Sequence, residues 1–199
     1  RYGITLERLI LELNGIPCLA LAEVELPNKQ ILSSRSFGIN ITDIQDLQNA
    51  IAFHATKVAR ELRKQKSMAK LVHLFLSTNQ HNKNVPQYHP YMTLPFPVPT
   101  NDTIKISRYA ITGLKQIYRK GYKYRKAGLC VTELVNDSEH NMDMFANTSK
   151  HQDQVMKVMD EINGRFGHGT IRISINDTVR TWAPKHENIS PAYTSCWNE

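Results

Sequence analysis

Cysteine is scarce in this sequence: Cys18, Cys130 and Cys196 are the three among 199 residues. Their wide spacing forms neither a disulfide framework nor a zinc knuckle, and it fits the reduced thiols of a cytoplasmic protein. No stretch of 18 apolar residues occurs, so no membrane-spanning helix and no membrane partner are expected. No charged-then-apolar leader opens the chain, which leaves a secretory route without support. The first residue is Arg1 rather than Met, as expected of a piece of a longer protein. The eight histidines show neither HxH nor HExxH spacing, and His54, beside an apolar stripe, reads as a packing residue. No Ser/Cys–His–acid set or paired carboxylates stand in a recognisable context. Acidic residues are few in the middle of the chain, where positions 29–135 hold only Asp43, Asp46, Glu61, Asp102 and Glu133. Two-metal catalysis needs clustered carboxylates, so no active site and no cofactor are expected here.

What the middle segment does have is positive charge. The chain carries +7 overall, divided as −2 over residues 1–28, +12 over 29–135 and −3 over 136–199. Charge concentrated in this way is the footprint of a polyanionic partner, nucleic acid being the commonest. Apolar residues at 41% and charged residues at 22% give the balance of a globular chain, long enough for one domain with appendages or two small ones.

Residues 5–13 read as a short helix capped by Thr5 and ended by Asn14, Gly15 and Pro17, with an irregular acidic connector to position 28. A strand follows from Ile31 to Phe37, ended by Gly38. Thr42 or Asp43 then caps a helix whose stripe is Ile44, Leu47, Ile51, Ala55, Val58 and Leu62. Leu71–Ser77 is an aliphatic strand. Tyr91–Val98 is an edge strand, because Pro95, Pro97 and Pro99 cannot donate to a ladder. Thr100, Asp102 and Thr103 open a second helix with Ile106, Ala110, Leu114 and Ile117 on one face, and Tyr122–Leu134 is the last strand. This order predicts an α+β domain over 29–135: a β-α-β-β-α-β four-stranded sheet with two helices on one face. A polar linker over 136–150 leads into a small mixed extension over 151–199, with a helix at 151–163, a tight turn at Gly164, Gly167 and Gly169, and a short strand at 171–175.

The last strand interleaves Lys123, Arg125 and Lys126 with Tyr122 and Tyr124. Alternation predicts buried tyrosines and cations open to a phosphate backbone, with Arg35 and the hydroxyls of Ser34 and Ser36 adding to the same surface.

Short motifs in register along the chain carry a resemblance. They are Leu13 to Cys18 (LNGIPC), Ser34 to Gly38 (SRSFG), Pro99 to Asp102 (PTND) and Tyr124 to Gly128 (YRKAG). Towards the end come Met159 to Asn163 (MDEIN), Arg165 to Gly167 (RFG) and Ser190 to Thr194 (SPAYT). Together they resemble the UmuC-type catalytic subunits of the Y-family lesion-bypass DNA polymerases. The resemblance implies that residues 29–135 are a "little finger" gripping primer-template DNA non-specifically and that residues 1–28 are the end of a thumb and a connector. It implies no enzyme activity for this part, the palm with its Mg2+-binding acids lying upstream. Relatives carry a Gln-Leu-x-Leu-Phe-type peptide for the sliding clamp. Its counterpart here is Asn141, Met142, Met144 and Phe145, with Asn141 one methylene shorter than Gln, and a linker without a docking role competes with that reading. The extension would receive the processed UmuD dimer and the RecA filament. A stand-alone basic module binding RNA or protein is the alternative, although the aromatic motif of RNA-recognition sheets is missing.

Overall fold

The computed structural model describes residues 3–18, 27–82, 84–137, 150–167, 169–173 and 182–183. In chain order these form α1 (Ile4–Leu13), β1 (Ile31–Ile41), α2 (Ile44–Lys64), β2 (Ser67–Thr78), β3 (Tyr91–Thr100), α3 (Thr103–Ile117), β4 (Tyr124–Asn136) and α4 (Lys150–Phe166). The strands make one sheet in the spatial order β1-β4-β2-β3, every neighbour antiparallel. The proline-rich β3 lies at an edge, where a missing N–H leaves no ladder bond unmade. Each helix is a crossover that skips one strand: α2 passes β4 and α3 passes β2. That split β-α-β arrangement puts both helices on one face and, among the described residues, leaves the other face bare of helix.

The core follows the predicted stripes. Leu47, Ile51, Ala55, Val58 and Leu62 of α2 are buried and Ile44 is half-buried, while Ile106, Ala110, Leu114 and Ile117 of α3 are all buried. They pack on Val72, Leu74 and Leu76 of β2 and on Ala127, Leu129 and Val131 of β4. Gly113 explains itself at this contact, since a Cβ there would lie 2.5 Å from Leu74 Cδ2 and 2.9 Å from Leu94 Cδ1. The helix gives up roughly 1 kcal/mol of propensity relative to alanine and gains a close approach to the sheet.

Several boundaries differ from the sequence expectation. Gly3, not Thr5, is the N-cap of α1, and no residue of that helix is buried. Asp43 caps α2 without a side-chain bond, whereas Asp102 caps α3 by accepting from the Ile104 N–H at 2.7 Å. β1 does not end at Gly38. Ser36 pairs with Lys126 and the next partners are Ile41 and Tyr124, so Gly38 sits inside a wide bulge. Beyond α4, Ile171 is at a bend and residues 172–173 are irregular, not strand; residues 174–175 lie outside the described residues.

Among the described residues, the extension is fastened to the domain at two places. Arg63 of α2 binds Asp160 of α4 bidentately, Nε to Oδ2 at 2.6 Å and Nη2 to Oδ1 at 2.8 Å, and its Nη1 donates to the Asn101 carbonyl and Thr103 Oγ1. Trp182 is buried against Phe37 and Phe53, with ring centroids 5.9 and 5.6 Å away, and its carbonyl accepts the Gly38 N–H at 3.1 Å.

Candidate nucleic-acid interface

The turn between α3 and β4 carries Arg119, Lys120 and Lys123, all exposed. A knot of tyrosines holds it. Tyr124 is fully buried, and its hydroxyl receives the Arg119 N–H at 2.9 Å while donating to the Arg119 carbonyl at 3.0 Å. The Tyr88 and Tyr118 hydroxyls donate to the carbonyls of Ile117 and Thr42, and Tyr88 stacks on Tyr122 at 4.7 Å. Burial pushes the Tyr124 phenol up from its ordinary value, partly opposed by the Arg119 backbone hydrogen bond, so this buried hydroxyl stays neutral. The cations of this turn therefore project from a fixed rim.

Beside that rim lies the face of the sheet opposite the helices. In register across β1 and β4 it presents Leu32 against Cys130, Ser34 against Gly128, and Ser36 against Lys126. On β2 it presents His73, Phe75 and Ser77, and on β3 Tyr91 and Thr93. His73 bridges two strands, Nδ1 to Thr93 Oγ1 and Nε2 to Thr132 Oγ1, both at 2.7 Å. Lys126 Nζ lies 5.8 Å from the centre of the Phe75 ring. Burial raises the Cys130 thiol, which keeps it protonated and adds no negative charge. None of these positions is acidic.

The six residues expected at the interface do not form one surface. Ser34, Ser36 and Lys126 share the bare face. Arg35 does not: it pairs with the inward-facing Ala127 and leaves β1 on the helix side. Alternation forces this, because Phe37, two residues on, is part of the core. Lys123 is exposed in the turn before β4 rather than on a strand. Arg125 is half-buried at the bulge, where Nη1 donates to the Gly38 carbonyl at 3.1 Å, so it braces β1 instead of standing open. Sequence reasoning missed His73, Phe75 and Tyr91. Their signal was the alternation of His73, Phe75 and Ser77 with Val72, Leu74 and Leu76, which fixes the outward side of β2. The clamp-peptide positions Asn141, Met142, Met144 and Phe145 lie outside the described residues.

On the helix side, a cavity of about 600 Å³ opens between β1, α2, α4 and the segment around Trp182, lined by Arg35, Phe53, Lys57, Met159 and Arg172 among others. Next to it His54 is buried, with Nδ1 hydrogen-bonded to Ser33 Oγ at 2.8 Å and Nε2 without a partner among the described residues. Desolvation, then the charges of Lys57 and Arg35, lower its pKa to about 4. Its packing role, expected from the sequence, holds. No group of three or more His, Cys, Asp or Glu side chains among the described residues is placed to hold a metal ion.

Comparison with known proteins gives these residues a context. The model of the impB/mucB/samB family C-terminal domain matches residues 28–144, and that of a domain of unknown function, DUF4113, matches residues 153–199. Protein UmuC of Salmonella typhimurium is 29% identical over 200 residues, covering 100% of this chain and 47% of UmuC. Protein SamB of the same species is 31% identical over 198 residues, covering 98% and 46%. The chain thus spans about half the length of the curated relatives it matches. Among solved structures, the little finger domain of PolIV, in a complex with the beta-clamp processivity factor, is similar at 15% identity and a TM-score of 0.41, over 59% of this chain and 99% of that one. The C-terminal-domain model covers more than half of the 199 residues, and the chain belongs to the impB/mucB/samB family of UmuC-type, Y-family proteins.

Proposed function

We propose that residues 28–137 grip primer-template DNA without reading its sequence, as the C-terminal part of a lesion-bypass DNA polymerase. The observation that carries this reading is the +12 charge of residues 29–135, with Arg119, Lys120 and Lys123 exposed on the turn before β4, Lys126 on the sheet face beside it, and no acid at the face positions named above. Phosphate contacts by such cations position a duplex and release counterions, and they carry no base information. Ser34 and Ser36 add hydroxyl donors on the same face. The catalytic acids and their Mg2+ belong, on this reading, to the part of the relatives' length that this chain does not span. Asn141, Met142, Met144 and Phe145 are the proposed docking peptide for the sliding clamp. The extension is the proposed seat of the processed UmuD dimer and the RecA filament, and the protein acts in the cytoplasm.

The test is duplex binding against salt concentration. The slope of log affinity on log salt is expected at about −0.9 per phosphate neutralised, and Lys126→Ala should make it shallower by about one unit. Arg35→Ala and Lys64→Ala, on the helix side, should leave the slope unchanged. Binding indifferent to salt would remove the proposal. Equal losses in Lys126→Ala and Lys64→Ala would mean that the helices, not the sheet, face the DNA.

A further inference from the structure

The bare face of the sheet carries an aromatic feature that phosphate binding does not use. Phe75 and Tyr91 are direct cross-strand partners on β2 and β3, and Tyr91 is 82% exposed. On the other side of Phe75 the central strand β4 places Gly128, opposite Ser34 of β1 and Phe75 of β2. A glycine in a central strand weakens it, and its presence marks a close approach. Here a Cβ would lie 2.6 Å from Phe75 Cε1 and 2.5 Å from Ser34 Cβ. The Phe75 ring therefore reaches across β4 through space that only glycine leaves. The result is an aromatic strip from Tyr91 over Phe75 to Gly128, bordered by Lys126 and by the hydroxyls of Ser34 and Ser36.

We propose that Phe75 and Tyr91 are a stacking platform for unpaired nucleobases, so that this face holds single-stranded DNA as well as duplex. The proposal deepens the DNA-gripping reading and rests on it. Charge selects the occupant: the strip lies in a segment of +12 and next to Lys126, with no acid among the positions paired across β1 and β4 there, so an apolar strip here meets a polyanion before it meets an ordinary peptide. Geometry selects the unpaired form. In a duplex each base has both faces covered by its neighbours and offers only edges, whereas a ring on the sheet surface needs an open π-face. Stacking is indifferent to base identity, because every base has such a face. Lys126 is placed to meet the phosphate of a nucleotide whose base lies on Phe75, and Tyr91, at the edge strand, takes the next base along.

The experiment uses the whole 199-residue chain and three probes: a short oligothymidylate, an abasic oligomer of the same length, and a blunt duplex. The parent is expected to bind oligothymidylate roughly a hundredfold more tightly than the abasic oligomer, about tenfold for each of the two stacked bases. Tyr91→Ala should weaken oligothymidylate binding by about tenfold, the share of one base, leaving the abasic oligomer, the duplex and the salt slope unchanged. Tyr91→Phe should bind like the parent. Tyr91 is nearly fully exposed at a sheet edge, so its replacement leaves the fold intact. A Tyr91→Ala variant that binds oligothymidylate like the parent, or that loses all three probes equally, overturns the platform. A parent that binds duplex in a salt-dependent way yet treats base-bearing and abasic strands alike also overturns it and leaves the DNA grip standing. A parent that binds none of the three overturns both.

Discussion

Acidification should weaken this fold through His54, and the size of the effect can be worked from its surroundings. The imidazole is buried against Phe53 and Trp182, Nδ1 is committed to Ser33 Oγ, and Nε2 faces no acceptor among the described residues. Protonation would create a desolvated cation there, with Lys57 and Arg35 repelling it. These causes, desolvation first, lower the folded-state pKa from 6.5 to about 4. The unfolded chain therefore binds the proton first as pH falls. Above pH 6.5 the stabilisation from this group is fully present. Between 6.5 and about 4 it is progressively lost, and below 4 both states are protonated and the loss stops growing. At about 1.4 kcal/mol per pKa unit, the window is worth about 3 kcal/mol. Asn at position 54 keeps a polar atom near that of Nδ1 but does not titrate. Urea unfolding at a series of pH values should show the parent losing about 3 kcal/mol more than His54→Asn between pH 6.5 and 4. Parallel pH profiles for the two proteins would refute the reasoning.

Two further outcomes are expected. Trp182→Ala should lower the urea midpoint by an amount equivalent to about 3–5 kcal/mol, since it empties the space over Phe37 and Phe53, and by admitting water it should raise the His54 pKa toward its ordinary value, readable by proton NMR. Met144→Ala combined with Phe145→Ala should abolish binding to a sliding clamp in calorimetric titration while duplex affinity stays the same, because two apolar anchors carry most of such a peptide's energy; a parent that shows no clamp binding leaves residues 141–145 as linker.

Much of the fold was legible because each element repeats one signal. The four apolar residues picked out on α3 are all buried, and three prolines were enough to put β3 at an edge. Arg35 was misplaced although the information was local. Ile31, Ser33, Arg35 and Phe37 share a side of β1, so treating Ser34, Arg35 and Ser36 as one surface ignored the pleat. Arg125 is a different case. Its role depends on a bulge in β1, a strand nearly ninety residues earlier, and a bulge shows only when both strands are aligned. Trp182 was unreadable for the same reason, since its partners Phe37 and Phe53 lie far away in sequence and belong to the other family domain. The platform residues were visible as outward positions, but only the Cβ clearance at Gly128 shows that Phe75 crosses the neighbouring strand.

The position of β4 has a consequence for how this chain acquires its shape. It is the last strand of the domain to be made and it lies between β1 and β2, which do not touch each other in the sheet. Until Tyr124–Asn136 has emerged, β1 has no strand partner and the β2–β3 hairpin stands as a separate ribbon. Ribbons of two strands are marginal in water. Closing the sheet then pairs residues about a hundred positions apart, such as Ile31 with Val131, and long-range pairing of this kind is slow. A nascent chain stopped anywhere before residue 124 should thus remain open to proteases along its whole middle segment, and protection should arrive in one step when β4 slots between its neighbours.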